Sequence, residues 1–201
     1  DTLALLGTPD AVWGAIRLAD PPRADAAAAV AELKRLGVRP IVMLTGDSRA
    51  VAERIGRCLG LDEVHAELLP EDKVARTREL AARYPHLAMV GDGVNDAPAL
   101  AASRLGIALG SEASDTALET ADVVVMTPQV GRLPELIRLG RRCRRILLEN
   151  ICLALSIKAG VLLLAAAGLA TMWMAVAADM GASILVIFNG LRLTVGPSTR
   201  D

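Results

Sequence analysis

The stretch MVGDGVNDAPAL, Met89–Leu100, sets two carboxylates, Asp92 and Asp96, among glycines and a proline where an apolar run ends. Acids in that setting can handle phosphate and metal. Gly91 and Gly93 let a loop approach a ligand closely, with backbone N–H groups free to face phosphate. The Asp between them is a hard oxygen ligand suited to Mg²⁺, which is commonly held by one or two carboxylates plus phosphate oxygens. Asn95 can donate an amide hydrogen to a phosphoryl oxygen, and a helix expected to open there adds positive dipole character. Gly-Asp-Gly alone also suits a strand-end turn with Asp as a helix cap.

A second pair of ionisable groups lies in apolar surroundings. From Ile151 to Leu191 only Lys158 and Asp179 are charged residues. A lone charge at a bilayer centre costs about 2.5–3.5 kcal/mol on insertion scales. A lysine can snorkel towards the surface, but Asp179 is too short and needs a partner, a proton or an ion. In antiparallel spans the two fall at similar depth, which predicts a pair that exchanges with a cation. Ala178, Gly181, Ala182 and Ser183 would permit close helix approach.

The elements that must position these groups alternate. AVWGAIRLAD reads as a strand ending at Asp20, and RADAAAAVAELKRLG as an amphipathic helix with Gly37 as its C-cap. RPIVMLTGD is a short buried strand running into a polar turn, and SRAVAERIGRCLG is a helix. VHAEL, HLAMVGD, LGIALG and DVVVMT read as strands; PEDKVARTRELAARY, NDAPALAAS and ASDTALETA read as helices between them. Such alternation argues an α/β fold, a parallel sheet with helices on both faces, whose chemistry sits at the carboxyl ends of the strands. Thr45, Gly46, Asp47 and Gly91, Asp92, Gly93 all fall at such ends.

After Pro134 the pattern becomes helical and basic, LIRLGRRCRRILLEN, and two apolar stretches follow, Ile151–Ala170 and Met172–Leu191. Each is near the roughly 20 residues that span a bilayer. Arginines before the first and Arg192 after the second place both ends on the cytoplasmic side. The turn around Gly168–Met172 is then outside, with Trp173 as an interfacial anchor. The competing reading is a buried helical hairpin in a soluble protein.

Bulk properties agree with a mixed chain. Its 201 residues are 53% hydrophobic with a mean hydropathy of +0.41, yet 22% are charged, and most charges precede Asn150. A net charge of −1 gives no basic field for nucleic acid. Cys58, Cys143 and Cys152 are odd in number and at no metal-ligand spacing, which favours a reducing cytosol for the soluble part. The first residue is Asp1, so the sequence reads as part of a longer polypeptide. His65 and His86 are read as ordinary strand-edge residues.

The whole string GDGVNDAPAL resembles the hinge signature of P-type ATPases, members of the haloacid dehalogenase-like superfamily. TGDS (Thr45–Ser48) resembles the TGD motif, LLPEDK (Leu68–Lys73) the segment with a phosphate-binding lysine, and DPPR (Asp20–Arg23) the D-x-x-R segment. The resemblance implies that Asp92 ligates Mg²⁺, that Asn95 and Thr45 contact the phosphoryl group, and that Gly46 offers its N–H. It further implies that Lys73 neutralises phosphate charge, while Asp96 and Asp47 orient these groups. Phosphoryl transfer spreads negative charge over three oxygens, so cations and aimed donors lower its barrier. The family's nucleophile, the Asp of a D-K-T-G-T segment, appears nowhere in the chain. Such a carboxylate splits hydrolysis into two easier steps, so the chain alone is expected to be inactive.

NICLALSIK and ADMGASILVIFNGLRL further resemble the last two membrane helices of heavy-metal-transporting P-type ATPases, in the zinc/cadmium/lead subclass. The copper subclass's Tyr-Asn and Met-x-x-Ser-Ser patterns are absent. By that resemblance Asp179 is a ligand of the transported Zn²⁺, Cd²⁺ or Pb²⁺, and Lys158 its built-in counter-ion. The implied organisation is a remnant of a nucleotide-binding domain at 1–10, the haloacid dehalogenase-like phosphorylation domain at 11–146, two transmembrane helices at 147–193 and a cytoplasmic tail at 194–201. The implied activity is ATP-driven export of divalent metal, with Mg²⁺ and ATP as cofactors. The implied partners are membrane lipid and the remaining N-terminal part of the polypeptide, and the implied place is a bacterial plasma membrane with the soluble domain cytoplasmic. A membrane-tethered phosphatase of the same superfamily, an assembly subunit or a copper transporter are the alternatives.

Overall fold

A computed structural model describes residues 2–8, 11–18, 22–93, 95–110 and 119–194. The chain forms two compact units, Asp1–Pro134 and Glu135–Asp201.

The first unit opens with a hairpin. Strands β1 (Thr2–Thr8) and β2 (Ala11–Leu18) pair antiparallel, with a register shift at Leu6/Gly7. A Cβ on Gly7 would come within 2.3 Å of the Ala11 carbonyl oxygen, so only glycine fits the shifted turn. The expected run of parallel strands therefore begins later than the sequence suggests. Parallel neighbours need a crossover of a dozen or more residues, and Thr8 and Ala11 are too close for one. Asp20, the expected strand end, lies outside the described residues.

Helix α1 (Ala26–Arg35) buries Ala26, Ala29, Val30 and Leu33 on one stripe. It ends as expected at Gly37, whose φ of +80° lets its N–H reach the Lys34 carbonyl. Strand β3 (Val42–Leu44) pairs parallel with β4 (Glu63–His65), and α2 (Arg49–Leu59) connects them. Gly56 lets α2 lie against β4, because a Cβ there would meet Val64 Cγ2 at 2.4 Å. Helix α3 (Pro70–Arg83) starts with proline at its first position, where no intrahelical N–H bond is lost.

Strands β5 (Ala88–Gly91), β6 (Leu105–Leu109) and β7 (Val123–Val125) form a parallel sheet in that order, with α4 (Ala97–Ala102) crossing between the first two. Ile107, Ala108 and Leu109 are buried on both faces, the continuous apolar run expected of a covered central strand. Leu100 and Ala108 anchor a cluster with Met89, Ala121 and Val124. The helix expected over ASDTALETA falls mostly outside the described residues.

In the second unit one uninterrupted helix, α5 (Arg132–Ala166), replaces the expected start after Pro134 and end at Ala170. Pro134 sits in the first turn, where it is tolerated, and Gly168 at φ +74° ends the run. Helix α6 (Met172–Leu191) is capped by the Thr171 hydroxyl, which accepts from Met174 N at 3.3 Å. Both helices are long and apolar enough to cross a membrane, and only 6% of each apolar window is buried. A hairpin inside a soluble core would be mostly covered, and these two helices are not covered by the described residues. Trp173 is exposed at the opening of α6.

Candidate functional site

The segment that leads into α3 and the first turn of α3 contact both groups of phosphate-type residues. Thr45 follows β3, and its carbonyl accepts from Leu68 N at 3.1 Å, while its hydroxyl accepts from Asp47 N at 3.1 Å. The Asp47 carbonyl in turn accepts from Glu67 N at 2.9 Å. Gly46 passes close to the same segment, where a Cβ would lie 3.3 Å from the Leu68 carbonyl oxygen. The loop after β4 thus holds the TGD turn by its backbone. Asp47 is not the cap of α2; that position is Ser48.

One turn further on, Lys73 Nζ donates to Asp96 Oδ1 at 2.8 Å, both side chains about four-fifths covered (20% and 19% exposed). A cation in the first turn of a helix opposes the helix dipole. The Asp96 carboxylate offsets that cost and fixes the ammonium beside the tip of β5. Gly91 completes the arrangement, because a Cβ there would lie 2.8 Å from Asp96 Cβ and 2.9 Å from Oδ2.

Asp92 is exposed at the same tip, and its Oδ1 accepts from Asn95 N at 3.2 Å. Gly93 has φ +76°, a conformation that side chains resist. Helix α4 opens at Ala97 with Asp96 at the cap, not at Asn95 as expected, and has six residues. So short a helix supplies little dipole, and the carboxylate of Asp92 sets the Asn95 backbone instead. An exposed hard-oxygen carboxylate flanked by two glycines fits a divalent cation such as Mg²⁺. Of the D-x-x-R segment, Arg23 donates to the Pro128 carbonyl, and Asp20 lies outside the described residues.

In the second unit Lys158 Nζ stands 3.5 Å from Asp179 Oδ1, with both side chains about two-thirds exposed (65% and 67%). Ser183 Oγ donates to the Asp179 carbonyl at 3.0 Å. Among the described residues no three His, Cys, Asp or Glu side chains converge, so a metal at Asp179 would need ligands from elsewhere. Between the middle of α5 and the end of α6 the sequence reading missed a polar ladder. Asn189 Nδ2 donates to Asn150 Oδ1 at 2.8 Å, and Arg192 donates to Asn189 Oδ1 at 2.9 Å and to Glu149 at 3.5 Å. Two amides framing an apolar run were the available signal.

The sequence matches the haloacid dehalogenase-like hydrolase family over residues 2–104. It is 49% identical over 183 residues to a cadmium, zinc and cobalt-transporting ATPase of Bacillus subtilis, covering 90% of this chain and 26% of that protein. It is 48% identical to a zinc-transporting ATPase of Synechocystis, covering 90% of this chain and 25% of that protein. The crystal structure of a zinc-transporting PIB-type ATPase in its E2.Pi state superposes with a TM-score of 0.83 at 43% identity, covering 95% of this chain and 31% of that one. The chain spans about a quarter of the length of the curated relatives it matches.

Proposed function

Because the chain belongs to the haloacid dehalogenase-like hydrolase family, we propose that it is the C-terminal part of an ATP-driven exporter of divalent heavy-metal cations. In this reading the soluble unit stabilises a phosphoryl group and the two apolar helices carry part of the ion path. The observation that carries it is the Lys158–Asp179 pair at 3.5 Å within helices long enough to cross a bilayer. A phosphatase with a membrane tail has no use for an acid and a cation placed there. An intramembrane carboxylate with a tethered ammonium is instead suited to accept a divalent ion and release it when the ammonium returns. Carboxylate also suits Zn²⁺ and Cd²⁺ better than soft Cu(I). The similarity to zinc- and cadmium-transporting ATPases over at least nine-tenths of the chain supports the same cargo.

On the soluble side, Thr45 and Asn95 would donate to phosphoryl oxygens, and Gly46 would offer its N–H. The Lys73 ammonium, held by Asp96, would face the charge that accumulates in transfer. Asp92 would hold Mg²⁺, which supplies charge neutralisation at the phosphoryl oxygens when bound. The nucleophilic carboxylate comes from outside this chain. Among the described residues β3 pairs only with β4, and β5 only with β6, leaving each with an open edge next to a functional loop. A strand inserted between them would satisfy both edges and carry its own tip to the site. Without it the chain does not turn over ATP.

The test is made in the intact polypeptide. Asp179→Ala should abolish zinc-stimulated ATP hydrolysis while leaving phosphorylation by inorganic phosphate in place. Unchanged zinc stimulation in that variant would remove Asp179 from the ion path.

A further inference from the structure

The soluble-side half of α5 carries a feature that metal export does not use. Arg141, Arg144 and Arg145 line a groove of about 540 Å³ together with Leu148, Glu149 and Cys152. Their spacing puts them on one face of the helix. All three arginines are exposed. Glu149, the one acid in the groove, already pairs with Arg192 at 3.5 Å. Among the described residues Arg144 and Arg145 have no ion pair.

The same face continues as Leu155 and Leu162, both more than 60% exposed. A strip that is guanidinium at one end and aliphatic at the other matches the polarity of one kind of ligand. A free phosphate has no use for the apolar end, and a soluble acidic peptide has none for an apolar strip that continues into a bilayer.

We infer that this face of α5 binds an anionic glycerophospholipid, with the phosphodiester on Arg141, Arg144 and Arg145 and an acyl chain along Leu148, Cys152 and Leu155. Guanidinium groups engage phosphate oxygens in a two-pronged geometry that zwitterionic headgroups satisfy less well, because their own ammonium competes. Arginines at the cytoplasmic margin of a span also lie within the surface potential of anionic lipid, each contributing about 1 kcal/mol, or roughly fivefold in affinity. The inference rests on α5 entering the bilayer, which the same experiment reports separately.

The 201-residue chain is reconstituted in phosphatidylcholine bilayers with a trace of spin-labelled phosphatidylglycerol or spin-labelled phosphatidylcholine. Electron spin resonance then reads the motionally restricted fraction. The expected result is a preference for phosphatidylglycerol that falls roughly fivefold in Arg144→Gln, falls further in R144Q/R145Q, falls less in Arg144→Lys, which keeps the charge and loses the two-pronged geometry, and resists added inorganic phosphate. Equal restriction of both lipids by the unaltered chain, or an undiminished preference in R144Q/R145Q, overturns the site. Displacement by inorganic phosphate overturns it in favour of a free-phosphate site. Restriction of neither lipid shows that the helices are not inserted and removes the membrane reading as well.

Discussion

Lys73 Nζ donates to Asp96 Oδ1 at 2.8 Å, tying the first turn of α3 to the loop after β5 across 23 residues of sequence. The bond puts a cation and a carboxylate, both largely covered, at the loop that also carries the glycine-flanked Asp92. In urea unfolding of the complete chain in detergent, Lys73→Met should cost about 1–2 kcal/mol, because Asp96 is left without its counter-charge. The double substitution Lys73→Met/Asp96→Asn should cost less than the sum of the single ones. Strictly additive losses would show that the two side chains act independently. In the intact polypeptide Lys73→Ala should slow aspartyl-phosphate formation by roughly a hundredfold.

Gly91 has no room for a side chain on the Asp96 side. Gly91→Ala would force Asp96 away from Lys73, at a cost of about 1–3 kcal/mol typical of overpacking. A melting temperature equal to that of the unaltered chain would show that the loop gives way without loss.

Asp92→Asn keeps the shape of the side chain and removes its charge. On the proposed function, ATP hydrolysis by the intact polypeptide should then be lost at ordinary Mg²⁺ concentrations, since the carboxylate would be the hard ligand at the strand tip. A Mg²⁺ titration indistinguishable from that of the unaltered protein would move the metal to another residue.

Away from the site, Asp62 is held below the usual carboxylate pKa, first by the hydrogen bond from Lys34 Nζ and then by the Ile41 N–H. A carboxylate whose folded pKa is depressed contributes stability above its unfolded value of about 3.9 and loses that contribution as pH falls through the folded value. For a partly exposed pair the contribution is at most about 1 kcal/mol. Denaturant midpoints measured down to and below that pH should therefore fall less for Asp62→Asn than for the unaltered chain. Parallel curves would show that Asp62 takes no part in acid unfolding.

Much of the candidate site's residue set was legible because its motifs are local in sequence. Thr45-Gly46-Asp47 and Gly91-Asp92-Gly93 each lie within one turn, and the apolar runs before them mark the strands that present them. The apolar stretches that hold Lys158 and Asp179 were equally plain, since bilayer thickness fixes their length. The antiparallel pairing of β2 with β1 was not legible, because alternation of apolar residues reports a strand but not its partner. The unbroken run of α5 from Arg132 was hidden by Pro134, which breaks a helix interior but not a first turn.

The sequence by itself determined which groups are available, that the sheet blocks are largely parallel and that two helices can meet lipid, since residue type, periodicity and run length carry that information. Only the tertiary structure decided that Lys73 reaches Asp96, that Gly91 makes room for it, and that Asn150, Asn189 and Arg192 form one ladder. Lys73–Asp96 and Asn150–Asn189 join residues 23 and 39 positions apart, and the geometry of all these contacts is set by how strands, loops and helices pack rather than by any spacing along the chain.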